Sequence, residues 1–374
     1  MTAQSSHSLI DIQKLKTVTK KVFNDCLLPN GCLVAAPSHM PYYPAHAKSY
    51  LYSWPGRDNG FNLLAMAHLG EDLYEPVLEW LWERAEDFKL ANEPHISGLV
   101  HRSYFPNGII RESQFQPDQG ATLIWSIYEK NKLLKKDFST LETDVINAIA
   151  NGYKRTWNET KFSINIEDLW EERELAIDYG NFTYSLSACA IAMHIAAKLL
   201  KDDSYDKISN QMRDSILEDI SKIKTRHIPR HFGGMLKNDF TTDGSLSGLV
   251  WPFNIGFNDA ILNRTLKRIE NRILDETGVY RYHNDQYEGG ISVRKPDIEA
   301  GSWPLLTFWL SIAYSRMGNK DKALKYFELP FKYIGDDYLI PEQIFKDNSN
   351  WEGIKPLLWS HSMAIFAAQK LGLL

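Results

Sequence analysis

The stretch "FTYSLSACAIAMHIAAKLL", residues 182–200, decides the fold. Helical spacing runs through it, yet no turn offers a polar face, and a helix that is apolar nearly all round must be covered on every side. "WPLLTFWLSIAYS" (303–315) has the same character. Helices of a second kind are amphipathic, among them "DVINAIANGYKRTW" (144–157) and "SNQMRDSILEDISKI" (209–223). Helical periodicity predicts segments near 9–27, 62–69, 74–88, 121–134, 141–157, 182–200, 205–223, 259–274, 304–317, 320–333 and 360–371, and strand-like alternation is scarce.

The two kinds alternate, and the apolar helices share a prelude rich in aromatic, Gly, Pro and charged residues. Six such junctions read "YLYSWPGRDNG", "QFQPDQGA", "DLWEERELAIDYGNF", "DGSLSGLVWPFN", "YRYHNDQYEGG" running to "GSWPLL", and "LIPEQ" running to "LLWSHS". Trp54, Asp118, Phe182, Trp251, Trp303 and Trp359 mark them, with gaps of 64, 64, 69, 52 and 56 residues. A sixfold repeat of helix pairs leaves raw ends unless the array closes. The expected architecture is therefore all-α, an (α/α)6 barrel: one domain over 1–374, with 1–45 as an N-terminal helix and lead-in loop. All six junctions then open on one face. Trp54-Pro55, Trp251-Pro252 and Trp303-Pro304 read as helix starts, since Pro is tolerated in a first turn, with each Trp free to line the mouth of a pocket.

The bulk numbers of the 374 residues narrow the chemistry. Hydrophobic residues at 44% and charged residues at 24% describe an ordinary globular chain. A net charge of -5 with no basic stripe argues against nucleic acid. Cys26, Cys32 and Cys189 form no C-x-x-C pair, no signal-peptide pattern opens the chain, and no apolar run reads as long enough to span a membrane, so a cytoplasmic protein is expected. The 11 Trp and 18 Tyr are suited to stacking on sugar faces, as well as to cores.

Metal chemistry is disfavoured, because Pro229 breaks the helix that would align His227 with His231. No phosphate-binding glycine loop, G-x-S-x-G elbow or Cys–His pairing is present, and no cofactor is implied. Carboxylates remain: Asp58, Asp118, the cluster of Asp168, Glu171 and Glu172, and Glu342. Glycosidic hydrolysis needs two carboxyl groups on opposite sides of a sugar, and the third and sixth junctions of a sixfold ring face each other. Arg57 and Arg281 supply fork-shaped donors for sugar hydroxyls.

These motifs resemble family 15 of the glycoside hydrolases, the glucoamylase-like inverting α-glucosidases. "YLYSWPGRD" is similar to that family's segment for the terminal glucose, "FQPDQGA" to its Gln-x-Asp-Gly loop, and "DLWEE" to its general-acid signature. "DGSLSGLVWPF", "GVYRYHNDQYEGG" and "WPLLTFWLSIAYSRMGN" are similar to its second half, and "LIPEQ" with "PLLWSHS" resembles its general-base segment. The resemblance covers about residues 45–372 in order. It implies Glu171 as general acid and Glu342 as general base. Glu172, Arg57, Asp58 and Arg281 would grip the terminal glucose, Tyr50, Trp54, Trp170 and Trp359 would line its subsite, and Asp118 would support it. The chain departs from the pattern at Gly56, an extra residue that re-aims the Arg57–Asp58 pair, and in lacking a β-sandwich or starch-binding module. The layout is similar to the single-domain isomaltose glucohydrolase branch, which implies a short oligosaccharide partner and release of β-glucose, with isomaltose favoured. Maltooligosaccharide or trehalose hydrolysis, and a silent glucan-binding module, are the alternatives.

Overall fold

A computed structural model describes residues 10–89, 98–171, 180–223, 227–233, 239–287, 290, 300–346 and 353–374. Among these, two concentric rings of helices make an (α/α)6 barrel. The inner ring runs through α2 (Arg57–His68), α5 (Pro117–Leu134), α7 (Thr183–Leu200), a 3-10 turn at Gly244–Leu249, α10 (Pro304–Arg316) and α12 (Leu358–Leu371). Each packs on the next, and α12 returns to α2 to close the circle. The outer ring comprises α1 (Ile12–Cys26), α3 (Tyr74–Arg84), α6 (Thr140–Thr156), α8 (Asp203–Ile223), α9 (Asp259–Ile273) and α11 (Lys320–Glu328); a one-turn α4 (Glu86–Lys89) follows α3.

Local chemistry explains the outer boundaries. Asp11 caps α1 by accepting from the Lys14 amide, and Ser139 with Glu142 forms a reciprocal capping box on α6. Asn258 caps α9, and Gly372 ends α12 in the left-handed region at φ 74°. The inner α-helices have no side-chain N-cap, and α5 and α10 begin on Pro117 and Pro304 instead.

Inner residues fill the barrel axis with rings. Phe61 stacks on Trp359 at 5.7 Å and meets Trp125, Trp309 and Phe366 at 5.4, 5.7 and 6.2 Å. This plug closes the barrel below its mouth. The α7 helix, 18 residues long, is apolar enough by length and composition to cross a membrane, contrary to the sequence expectation. Its place between α5, α8 and the 3-10 turn accounts for that composition, since most of its surface is covered and only His194 and Lys198 are exposed.

Several expected boundaries move. The α2 helix starts at Arg57 rather than 62 and α5 at Pro117 rather than 121, because Asp58 and Asp118 suit the positive end of a helix. The segment expected over 320–333 breaks at Pro330. The fourth inner element is six residues of 3-10 helix, rich in the weak helix formers Gly and Ser. Its Gly248 passes so close to Tyr184 and Trp309 that a Cβ would lie 2.5 and 2.8 Å from their rings. Trp251-Pro252 therefore starts no helix. Trp251, partly buried, contacts Trp125 and Phe366 at 5.6 and 5.1 Å and does not line the cavity. Four short strands also form, pairing antiparallel as β1 (His101–Tyr104) with β2 (Ile110–Phe115) and β3 (Gly180–Phe182) with β4 (His231–Gly233).

Candidate active site

Above the plug lies a cavity of about 380 Å³, walled by residues from four of the six junctions, from β1 and from the N-terminal lead-in at Ala35. Glu171 and Glu342, from the third and sixth junctions, share that hollow with Tyr50, Trp54, Asp58, Trp170, Arg281 and Trp359. Arg57 and Asp118 lie behind the wall rather than on it. Glu172 lies outside the described residues.

Asp58 faces the cavity because Arg57 turns away to organise the floor. The Arg57 Nε donates to Asp58 Oδ1 at 2.9 Å, one Nη donates to the Leu169 carbonyl at 2.8 Å, and the guanidinium lies 4.8 Å over the Trp359 ring. Buried Asp118 stands 3.7 Å from Arg57 and accepts from the Ser185 hydroxyl at 3.1 Å. Burial raises its carboxyl to about 6 even against the Arg57 charge. Gly56 explains the aim of this pair. A Cβ there would lie 2.3 Å from the Gln119 carbonyl, and the Gly56 and Arg57 amides both donate to Gln119 Oε1, at 3.2 and 2.8 Å.

Glu171 sits at φ 66°, in the left-handed region that non-glycine residues seldom occupy and that clusters at functional sites. Its Oε1 accepts from Trp54 Nε1 at 2.6 Å and lies 3.8 Å from Arg57, while Oε2 lies 3.5 Å from Arg102. Burial pushes this carboxyl up, opposed by Arg102, Arg57 and the Trp54 hydrogen bond. Glu342 is held more strongly: burial raises it to about 8, opposed by the Tyr50 hydroxyl, Arg281 and the Tyr287 hydroxyl. Its Oε2 is buried without a hydrogen-bond partner among the described residues.

The aromatic wall is braced from outside. Trp170 Nε1 donates to both carboxylate oxygens of Asp243, at 3.1 and 2.9 Å, and its amide donates to Asp168. Arg230 bridges Asp168 and Asp243. Arg281 forms a bidentate pair with Asp285 at 2.7 and 2.6 Å, and lies within 5.7 Å of the rings of Trp170, Tyr282, Tyr287 and Trp303. Asp168, first among the acidic residues of its junction, therefore supports the wall without reaching the cavity.

Sequence reasoning missed two polar wall residues. Tyr287 hydrogen-bonds Tyr50 through the two hydroxyls and stacks on Trp303; it lay unremarked within a quoted junction. Arg102 stands on β1, and its hairpin carries a "PNG" turn at residues 106–108 that strand-oriented reading would have found. Among the described residues no group of three or more His, Cys, Asp or Glu side chains could hold a metal ion.

Comparison with known proteins fits this geometry. No family model matches the chain. Trehalase 1 of Sulfolobus acidocaldarius is 24% identical over 281 residues, which are 74% of this chain and 45% of that protein, so the chain spans about half the length of this curated relative. A glycosidase variant solved in complex with glucose superposes with a TM-score of 0.74 at 20% identity, covering 98% of this chain and all of that one. A glucoamylase from Saccharomycopsis fibuligera gives a TM-score of 0.67 at 15% identity over 100% and 98% of the two chains. The fold is the glucoamylase fold. In this barrel the mouth, where inner helices begin, is where the two glutamates meet.

Proposed function

We propose that the protein is an inverting exo-acting α-glucosidase that releases β-glucose from the nonreducing end of short α-glucosides, isomaltose foremost. The observation that carries this reading is that Glu171 and Glu342, from opposed junctions, wall one cavity whose floor is closed by aromatic rings. A closed floor admits a chain end and not the middle of a polymer. Asp58 and Arg281 supply hydroxyl partners, and Tyr50, Trp54, Trp170 and Trp359 supply flat apolar faces.

Glu171 acts as general acid and Glu342 as general base. Burial raises Glu171 toward its proton-carrying form, as an acid requires. Glu342 is the more strongly raised before substrate enters, the reverse of what an ionised base requires. The wall opposes that state through Tyr50, Arg281 and Tyr287. A water molecule donating to its unpartnered Oε2 adds a further hydrogen bond to the carboxylate and favours ionisation. Three buried, unpaired thiols, Cys26, Cys32 and Cys189, suit a reducing, cytoplasmic setting.

Glucose release from isomaltose, maltose, trehalose, nigerose and kojibiose, compared side by side with NMR of the first-formed anomer, tests the reading. Isomaltose is expected to be turned over fastest, with β-glucose appearing first. Binding of these sugars without release would reduce the protein to a glucan-binding module, and first-formed α-glucose would contradict inversion.

A further inference from the structure

We infer that Arg102 and Glu112, on the two strands of the β1–β2 hairpin, form a positioning pair that fixes the Glu171 carboxyl group and sets its proton affinity for the reaction proposed above. Arg102 reaches Glu171 twice, its Nε standing 3.5 Å from Oε2 and its Nη1 3.5 Å from the backbone carbonyl. The carbonyl contact pins a residue whose backbone sits in the left-handed region. With Trp54 holding Oε1, each carboxyl oxygen is restrained from a different element, α2's lead-in on one side and β1 on the other.

The arginine is itself held. Glu112 receives two of its N–H groups, including Nε to Oε2 at 2.8 Å, and Glu167 accepts from Nη1 at 3.1 Å. Ser103 and Glu112 are register partners across the hairpin, and the Ser103 hydroxyl donates to Glu112 at 3.0 Å. Arg111 lies 2.7 Å from Glu112 on the outer side. The Arg102 side chain is buried at 7% exposure, so these contacts act with little solvent screening.

The charged and titratable groups around Glu171 are Arg102 on β1, Glu112 and Arg111 on β2, Arg57 and Asp58 on α2, Glu167 and Asp168 on the preceding loop, and Tyr50, Arg281, Tyr287 and Glu342 around the cavity. Arg102 and Arg57 favour ionised Glu171, and Glu112 offsets the first of them. A general acid flanked by two guanidinium groups keeps its proton only if that attraction is partly cancelled. Glu112 supplies the cancellation; burial pushes its own carboxyl up, but Arg102, Arg111 and the Ser103 hydroxyl outweigh burial and keep Glu112 on the ionised side.

The two members of the pair thus have opposite effects. Arg102→Gln moves the Glu171 titration to higher pH and lowers kcat on the order of tenfold to a hundredfold, because a loosened acid group is misplaced, with KM changed far less. Glu112→Gln moves the same titration to lower pH. Arg102→Lys restores the charge without the fork and returns the titration toward its original position while leaving kcat low. The titration is read directly from the side-chain carboxyl carbon of 13C-labelled glutamate, assigned by its loss in Glu171→Gln, and in parallel from the alkaline limb of kcat/KM on the best disaccharide. The NMR arm stands whether or not the protein hydrolyses a sugar. Shifts of equal sign in Arg102→Gln and Glu112→Gln, or none, overturn the inference. An inactive wild type with opposite shifts overturns only the proposed function. Should Arg102→Gln fail to fold, Glu112→Gln and Arg102→Lys decide the matter.

Discussion

Replacing Glu342 with Gln should stabilise the protein, and only at high pH. The carboxyl is buried at 3% exposure and its Oε2 has no partner among the described residues, so ionisation inside the fold is expensive. Its value rises from an ordinary 4.5 to about 8. At about 1.36 kcal/mol for each tenfold step, the ionised form costs the fold about 5 kcal/mol. The folded protein retains a proton between pH 4.5 and 8 that the unfolded chain has lost, so stability falls as pH rises through that window. Glutamine is isosteric and never ionises. Chemical denaturation of wild type and Glu342→Gln at pH 5 and pH 9 reads the difference: near zero at pH 5, and several kcal/mol in favour of Gln at pH 9. A difference independent of pH, or a variant less stable at pH 9, would refute the reasoning.

Gly56→Ala must push the start of α2 away from Gln119, since its Cβ would lie 2.3 Å from backbone atoms there; it should cost about 1–3 kcal/mol of stability and, by shifting Asp58, on the order of a hundredfold in kcat/KM. Asp243→Ala strips Trp170 Nε1 of its acceptor and Arg230 of an ion-pair partner, so the melting temperature should fall by an amount matching about 3 kcal/mol, and KM should rise as the Trp170 wall loosens. Tyr287→Phe removes a hydroxyl that favours ionised Glu342, so the acidic limb of the kcat/KM profile should move to higher pH.

The barrel was legible because burial on all sides leaves a mark in sequence: the α7 and α10 helices, 18 and 13 residues with hardly a charge, have no other use in a globular chain. The fourth inner element was legible as a junction but not as a turn of 3-10 helix, because the close approach of Gly248 to Tyr184 and Trp309, on the two inner helices that flank it, is a tertiary contact. The site separates in the same way. Residues that reach the cavity from four of the six junctions, such as Glu342, Arg281 and Trp359, stood in the repeating pattern. Arg102 stood outside it on a hairpin, and its partnership with Glu112 and Glu171 joins positions up to 69 residues apart that no local pattern links. Asp118 was legible as a support of the subsite, but its distance from the cavity was not, since spacing shows which helix end carries a residue and not that Arg57 stands 3.7 Å away from it.

The division of labour between the two glutamates is tested most directly with α-glucosyl fluoride, whose leaving group departs without a proton. Glu171→Gln should hydrolyse it at a rate near that of the wild type while losing orders of magnitude on disaccharides, and Glu342→Gln should lose both. Retention of fluoride hydrolysis by Glu342→Gln and its loss in Glu171→Gln would exchange the roles and contradict the mechanism.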